Sequence, residues 1–197
     1  MMDTLVIDIE TKNTFADVGG QQNIDALEAS FVGIYSYNKN EYSSFFEHEF
    51  KKLGCLLQTA GLIIGFRINR FDITVMRKYY EHGNKFSTGL NFNIYALERY
   101  DLLDEVEQSI GARISLDLLA KENLKIGKTH HGLEAIKFYK EGNLEELKNY
   151  CLHDVKITKE LYDLAKRQGH LMVPRKDNGA PTKAELKFGH VVPSSLF

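Results

Sequence analysis

The sequence predicts an α/β sandwich with a mixed central sheet, and three features carry that expectation. Leu5 to Ile9 is a short apolar run rich in β-branched residues, the pattern of a buried strand. Phe31 to Tyr35 and Tyr42 to Phe46 flank the turn signal Asn38-Lys39-Asn40, as in a hairpin. Helical spacing then alternates with further short apolar runs and finally dominates as far as Arg167. Strand, hairpin, alternating elements and then helices is the order of helices packed on a sheet with both parallel and antiparallel pairs.

Each element has a local reason. Lys12 to Asn23 contains Gly19-Gly20 among Asn, Asp and Gln residues and reads as a loop. Between Glu47 and Ala60, Phe50, Leu53, Leu56 and Leu57 recur at helical spacing. The run Leu62 to Phe66 follows Gly61 and predicts a buried strand. Phe71 to His82 predicts a helix closed by Gly83. Lys85 to Asn93 is loop-like, and Ile94 to Leu103 predicts another strand with an ambiguous start. Helical patterns from Asp104 to Arg167 break near Gly111, Gly127 to Thr129, and Gly142-Asn143. These elements define one domain over residues 1–167. The tail, 168–197, holds all three prolines (Pro174, Pro181, Pro193), together with Arg175, Lys176, Lys183 and Lys187. Its composition suits either a closing hairpin or a partly mobile segment.

The bulk numbers bound the function. A chain of 197 residues, 43% hydrophobic and 26% charged, has the composition of a globular protein with a substantial core. A net charge of -2 argues against a protein that coats nucleic acid nonspecifically, but allows an acidic, metal-filled pocket with local basic patches. Cys55 and Cys151 suggest neither a disulfide framework nor a zinc site. No apolar run approaches the ~20 residues of a membrane span. The first candidate site residue stands eight residues in, which leaves no room for a cleavable leader. A cytoplasmic protein is the resulting expectation.

The chemistry is carried by acids. Strand side chains alternate between faces, so Asp8 and Glu10 point the same way. Two such carboxylates repel each other and lose hydration unless a cation, such as a metal ion, lies between them. A solvated strand face is the alternative. Asp72 opens a predicted helix in Asn69-Arg70-Phe71-Asp72, where capping explains it simply. On the late helix an apolar stripe runs through Leu144, Leu147, Cys151, Val155, Thr158 and Leu161, and Asp154 falls within it. An acid on a buried face needs a partner. Tyr150, one turn earlier on the same side, is either that partner or a group that orients a water molecule. Two divalent ions held by such carboxylates activate water and stabilise a leaving oxygen in phosphodiester hydrolysis.

Val6-Ile7-Asp8-Ile9-Glu10-Thr11, Asn69-Arg70-Phe71-Asp72 and Tyr150-Cys151-Leu152-His153-Asp154 together resemble the three motifs of the DEDD superfamily, RNase H-like 3′–5′ exonucleases. The resemblance covers roughly residues 2 to 165. Gly132-Leu133-Glu134-Ala135 and Gly142-Asn143-Leu144-Glu145-Glu146 are similar to the YprB-like branch, whose domains accompany helicases. The resemblance implies an RNase H-like three-layer α/β/α sandwich. It also implies two divalent cations, Mg²⁺ or Mn²⁺, held by Asp8, Glu10, Asp72 and Asp154. A histidine-type relative carries His five positions before the last Asp, where this chain has Asn149; Tyr150 fits the tyrosine type and would orient the attacking water. His153, about 100° round the helix from Asp154, is read as incidental.

The implied activity is removal of nucleotides from single-stranded DNA or RNA 3′ ends, with a helicase as a conceivable partner. Candidate substrate contacts are Thr11, Asn69, Phe71 and Lys128; base stacking and core packing compete for Phe71. Lys128 belongs to a basic cluster with Lys125, His130 and His131, which would hold a phosphate backbone or form a solvated turn. Arg67 departs from the family pattern, where many relatives have His or Asn. Asp101 resembles a recurrent acid outside the metal set, serving as a helix cap or as support behind the ligands. The competing functions are a noncatalytic nucleic-acid-binding module and a structure-selective endonuclease on the same fold.

Overall fold

The fold is described from a computed structural model, which covers residues 2–126, 132–175 and 179–189. Five strands form one sheet in the order β3-β2-β1-β4-β5. They are β1 (Asp3–Thr11), β2 (Ala29–Ser36), β3 (Glu41–Phe46), β4 (Ala60–Gly65) and β5 (Arg99–Asp101). The β1–β2 and β2–β3 pairs are antiparallel, whereas β1–β4 and β4–β5 are parallel. The mixed sheet read from the sequence is thus present.

Alternation along β1 divides the core in two. Leu5, Ile7 and Ile9 enter one apolar cluster with Phe50, Leu53 and Leu57 of α1 (Phe50–Thr59) and Ile73, Val75 and Met76 of α2 (Asp72–Met76). Val6 faces the opposite cluster. There it meets residues of α3 (Leu102–Ile110), α4 (Leu116–Leu124) and α6 (Leu144–Gln168). These are the three layers. Between α4 and α6 lies α5 (Gly132–Glu141), which packs Ala135 against Leu147, Tyr150 and Cys151 of α6.

A short hairpin, β6 (His170–Val173) and β7 (Thr182–Glu185), follows α6. Leu171, Val173, Ala184 and Leu186 are buried in the second cluster. Phe188 stacks on Tyr100, with ring centres 5.3 Å apart.

One expected element is corrected. The helix expected over Phe71 to His82 is only one turn of α-helix, Asp72–Met76, followed by a 3₁₀ turn, Arg77–Tyr79. Tyr79 and Tyr80 are buried where the helix gives way, Tyr80 donating its hydroxyl to the Phe50 carbonyl at 3.1 Å. The strand expected within Ile94 to Leu103, its start left open, is present as Arg99–Asp101. Ile94–Ala96 is a 3₁₀ turn, and Asp101 already caps α3 by accepting from the Leu103 and Asp104 amides.

What positions the site is a difference in strand length. β1 pairs with β4 only from Asp3 to Val6, but continues against β2 as far as Thr11. Its last five residues overhang the parallel half of the sheet. The turn after β4, which leads into α2, fills the space beside them.

Candidate active site

Asp8 and Glu10 lie on the overhanging part of β1, on the face that α6 crosses. Gly33 of β2 is the register partner of Asp8. A Cβ at Gly33 would stand 3.0 Å from Cys151 Sγ and 3.1 Å from both Leu152 and Val155. The absent side chain therefore lets α6 press onto the sheet at this point. As a result the Cys151 thiol donates to the Asp8 backbone carbonyl at 3.4 Å and reaches its carboxylate Oδ2 at 3.5 Å. Potential ligand atoms of Asp8, Glu10 and Cys151 all lie within 4.8 Å of one another.

Tyr150 and Asp154, one turn apart on α6, are both buried. With Asp8 and Glu10 they line a cavity of about 460 Å³. Its other walls include Thr11, Phe15, Leu27, Arg67, Phe71, Leu133 and Ile136, so acids occupy one side and apolar groups much of the rest. A second cavity, about 700 Å³, opens between the β4–α2 turn and the start of α4. It shares Asp8, Arg67 and Asp154 with the first, and adds Phe66, Arg113 and Ser115.

Asp72 stands one step back. It is buried at the first position of α2 and lines neither cavity. Burial, followed by the neighbouring charge of Asp101, pushes its carboxyl up to about 7, against the opposing effects of its own amide, the Ile9 amide and Arg67. The Ile9 amide ties it to β1 between the two strand acids. Asp101 organises the same turn: its carboxylate accepts from the Arg67 amide at 2.9 Å and the Asn69 amide at 3.0 Å, while capping α3. Burial and Asp104 raise it to about 6 despite those donors. Both roles weighed for Asp101, cap and support, are visible in one side chain.

The electrostatics concentrate on Tyr150. Burial first, and then the charges of Asp154, Glu10 and Asp8, push its phenol far above the ordinary tyrosine range. With no cation bound it therefore stays protonated at any physiological pH. Burial and the same acids also raise the Cys151 thiol. Three carboxylates around one cavity, beside a phenol they keep neutral, are a donor set suited to hard divalent cations, which prefer oxygen ligands.

A sequence model of the RNase H superfamily matches residues 5–166. The chain belongs to the RNase H superfamily.

Solved structures share this RNase H fold at low identity. The family B DNA polymerase of the hyperthermophilic archaeon Pyrobaculum calidifontis aligns over 84% of the chain with TM-score 0.57 and 14% identity. The zinc-bound E. coli ExoI–ssDNA complex aligns over 85% with TM-score 0.54 and 15% identity, and apo exonuclease I over 85% with 0.51 and 15%. The chain spans 25% of the polymerase and 41% and 42% of the exonuclease I chains. No curated protein sequence matches it.

Within this RNase H fold the residues singled out by sequence separate into groups. Asp8, Glu10, Tyr150, Asp154, Thr11 and Phe71 converge on the first cavity. Asn69 does not: its side chain donates to Asp104 at 2.8 Å and accepts from Arg99 at 2.9 Å, bracing the turn. Lys125 is exposed at the left-handed end of α4. Lys128, His130 and His131 lie outside the described residues. Gly33, Phe15 and Ile136 went unnoticed in the sequence, because only the folded register brings positions 33 and 151 together. Among the described residues no helix is long and apolar enough to cross a membrane.

Proposed function

We propose that this chain is a metal-dependent 3′–5′ exonuclease acting on single-stranded DNA or RNA ends. The observation that supports it is the convergence of Asp8, Glu10, Tyr150 and Asp154 on one cavity whose lining also includes Phe15, Leu27, Phe71, Leu133 and Ile136. Acids and apolar groups lining one cavity suit a terminal nucleotide, with its base on the apolar groups and its phosphate toward the acids.

In this reading Asp8, Glu10, Asp72 and Asp154 would hold the cations, Asp72 from beside β1, where the Ile9 amide donates to it. Two bound divalent cations, Mg²⁺ or Mn²⁺, supply the Lewis acidity that activates water and stabilises the leaving oxygen. Tyr150 donates a hydrogen bond from its hydroxyl and keeps its proton, orienting the water for in-line attack at the terminal phosphodiester. Thr11, whose hydroxyl donates to the Asn13 carbonyl at 2.9 Å, shapes the cavity mouth beside the acids.

The experiment is degradation of 3′- and 5′-labelled single strands of DNA and RNA with Mg²⁺, Mn²⁺ or EDTA, alongside Asp154→Ala. Metal-dependent shortening from the 3′ end, lost in the variant, is the expected result. Cleavage of a circular single strand would point to an endonuclease. Binding without any cleavage would point to a noncatalytic module.

A further inference from the structure

Arg67 is placed at a cost. Its φ is 70°, a left-handed conformation that a residue with a Cβ adopts only at an energetic penalty. Neither of the other described non-glycine residues with positive φ resembles it in setting: Asn40 lies in a hairpin turn and Lys125 ends a helix. The strained backbone is fixed from behind by Asp101, which accepts the Arg67 amide, while the Arg67 carbonyl accepts from the Phe71 amide at 3.1 Å. This conformation delivers the side chain to the rim where the two cavities meet, beside Asp8 and Asp154.

Among the described residues the guanidinium there pairs with no carboxylate, although its charge acts on Asp72. Its neighbours Arg70, Arg99 and Arg113 are each engaged, Arg70 by Asp104 and Glu107, Arg113 by Glu107, and Arg99 by Asn69 and three carbonyls. Among the described residues, the guanidinium of Arg67 makes neither a hydrogen bond nor an ion pair. Its contact is the Phe71 ring, with the guanidinium carbon 5.7 Å from the ring centre. A planar cation with five donors, pre-oriented by a ring and left with its hydrogen bonds unmade, matches a phosphate group.

We infer that Arg67 grips the phosphodiester that joins the last nucleotide to the rest of a single strand. The inference rests on the nuclease reading above and adds the strand's path to it. With the terminal base in the first cavity and the preceding nucleotide in the second, the linkage between them crosses the shared rim. That rim consists of Asp8, Arg67 and Asp154. The cation offsets the repulsion between these acids and the approaching phosphate, so the strand docks in register with the attacking group.

The test measures binding apart from turnover. Single-stranded oligonucleotides labelled at the 5′ end, with either a normal or a neutral methylphosphonate last linkage, are titrated in EDTA by fluorescence anisotropy. The proteins are wild type, Arg67→Lys and Arg67→Gln. Wild type should prefer the normal linkage by about tenfold, the scale of one charged hydrogen-bonded contact. Arg67→Gln should lose that preference and lower the salt slope by about 0.7, one phosphate contact on a single strand. Arg67→Lys should fall between the two. Equal loss on both oligonucleotides, or no loss, overturns the role of Arg67 and leaves the nuclease reading standing. Melting of Arg67→Gln should match wild type; a lower midpoint with unchanged binding would assign Arg67 to charge balance beside Asp72 and also overturn the inference. Wild-type protein that binds no strand in either EDTA or Mg²⁺ would overturn both.

Discussion

Gly33 stands directly opposite Asp8 across the β1–β2 ladder, and its missing side chain is the gap through which Cys151 reaches the Asp8 carboxylate. This single contact sets the distance between the strand that carries two acids and the helix that carries Tyr150 and Asp154. Gly33→Ala would place a methyl group 3.0–3.1 Å from three side chains of α6. Lifting the helix by a few tenths of an ångström should cost about 1–3 kcal/mol in urea denaturation. Activity should fall by several-fold, short of the roughly 10²-fold that a full 1 Å displacement of reacting groups costs. A variant that is destabilised but turns over like wild type would show that the helix position is not critical.

Tyr150→Phe removes one hydroxyl from a buried ring and leaves the packing intact. Single-turnover rates should drop by about 10²-fold, the lower range for a positioned proton donor, while strand affinity stays at the wild-type value. The high phenol pKa adds a signature. In EDTA, burial and three nearby acids hold the proton on, so subtracting the ultraviolet titration of Tyr150→Phe from that of wild type should reveal no phenol ionising below pH 10.

Asp72 predicts how the metal-free protein responds to pH. Its carboxyl is raised from the ordinary value of 3.8 to about 7 in the folded chain. Below pH 4 the group is protonated in both folded and unfolded states and contributes no pH dependence. Between pH 4 and 7 the folded state binds more protons than the unfolded one, so stability falls as pH rises and levels off above 7. Urea midpoints in EDTA should trace this decline, by a few kcal/mol in total, and Asp72→Asn should flatten it. Saturating Mg²⁺ should restore stability at neutral pH, by about 2.7 kcal/mol at one hundred times its dissociation constant.

The hairpin after α6 belongs to the core. Leu171, Val173 and Leu186 are buried, each contributing about 1.5–3 kcal/mol. A chain ending at Gln168 should lose more than about 4 kcal/mol, a large share of a typical domain's 5–15 kcal/mol. Circular dichroism should find it unfolded or molten at 37 °C. A cooperative melt near the wild-type midpoint would show that the domain closes without the hairpin.

The sequence revealed what local periodicity encodes. The β-branched run at β1 and the apolar stripe of α6 located both strand acids and the buried pair Tyr150 and Asp154. The observed α6, Leu144–Gln168, lies within a residue of the helix those patterns mark. Features built from distant pairs were not legible. Gly33 looks like any strand glycine until Cys151 is placed over it. Asn69 sits in a motif that suggests substrate contact, yet Asp104 and Arg99, more than thirty residues away, engage both ends of its amide. The shortness of α2 has the same origin, since Tyr80, just past it, is buried and tied to the Phe50 carbonyl.

The parity of β1 separates two kinds of constraint within one nine-residue strand. Leu5 and Ile7 pack into the layer that holds α1 and α2, so their shapes can be exchanged for other aliphatics by repacking that layer, whereas Ile9 also lines the first cavity. Val6, Asp8 and Glu10 answer to α6, where a change in volume and a change in chemistry cannot be made separately. Packing and the candidate site therefore have largely separate addresses on the same segment of backbone and meet only at its end, where Ile9 and Thr11 line the cavity beside Glu10. An engineer seeking a hardier protein would work on Leu5 and Ile7 and leave the even-numbered side alone.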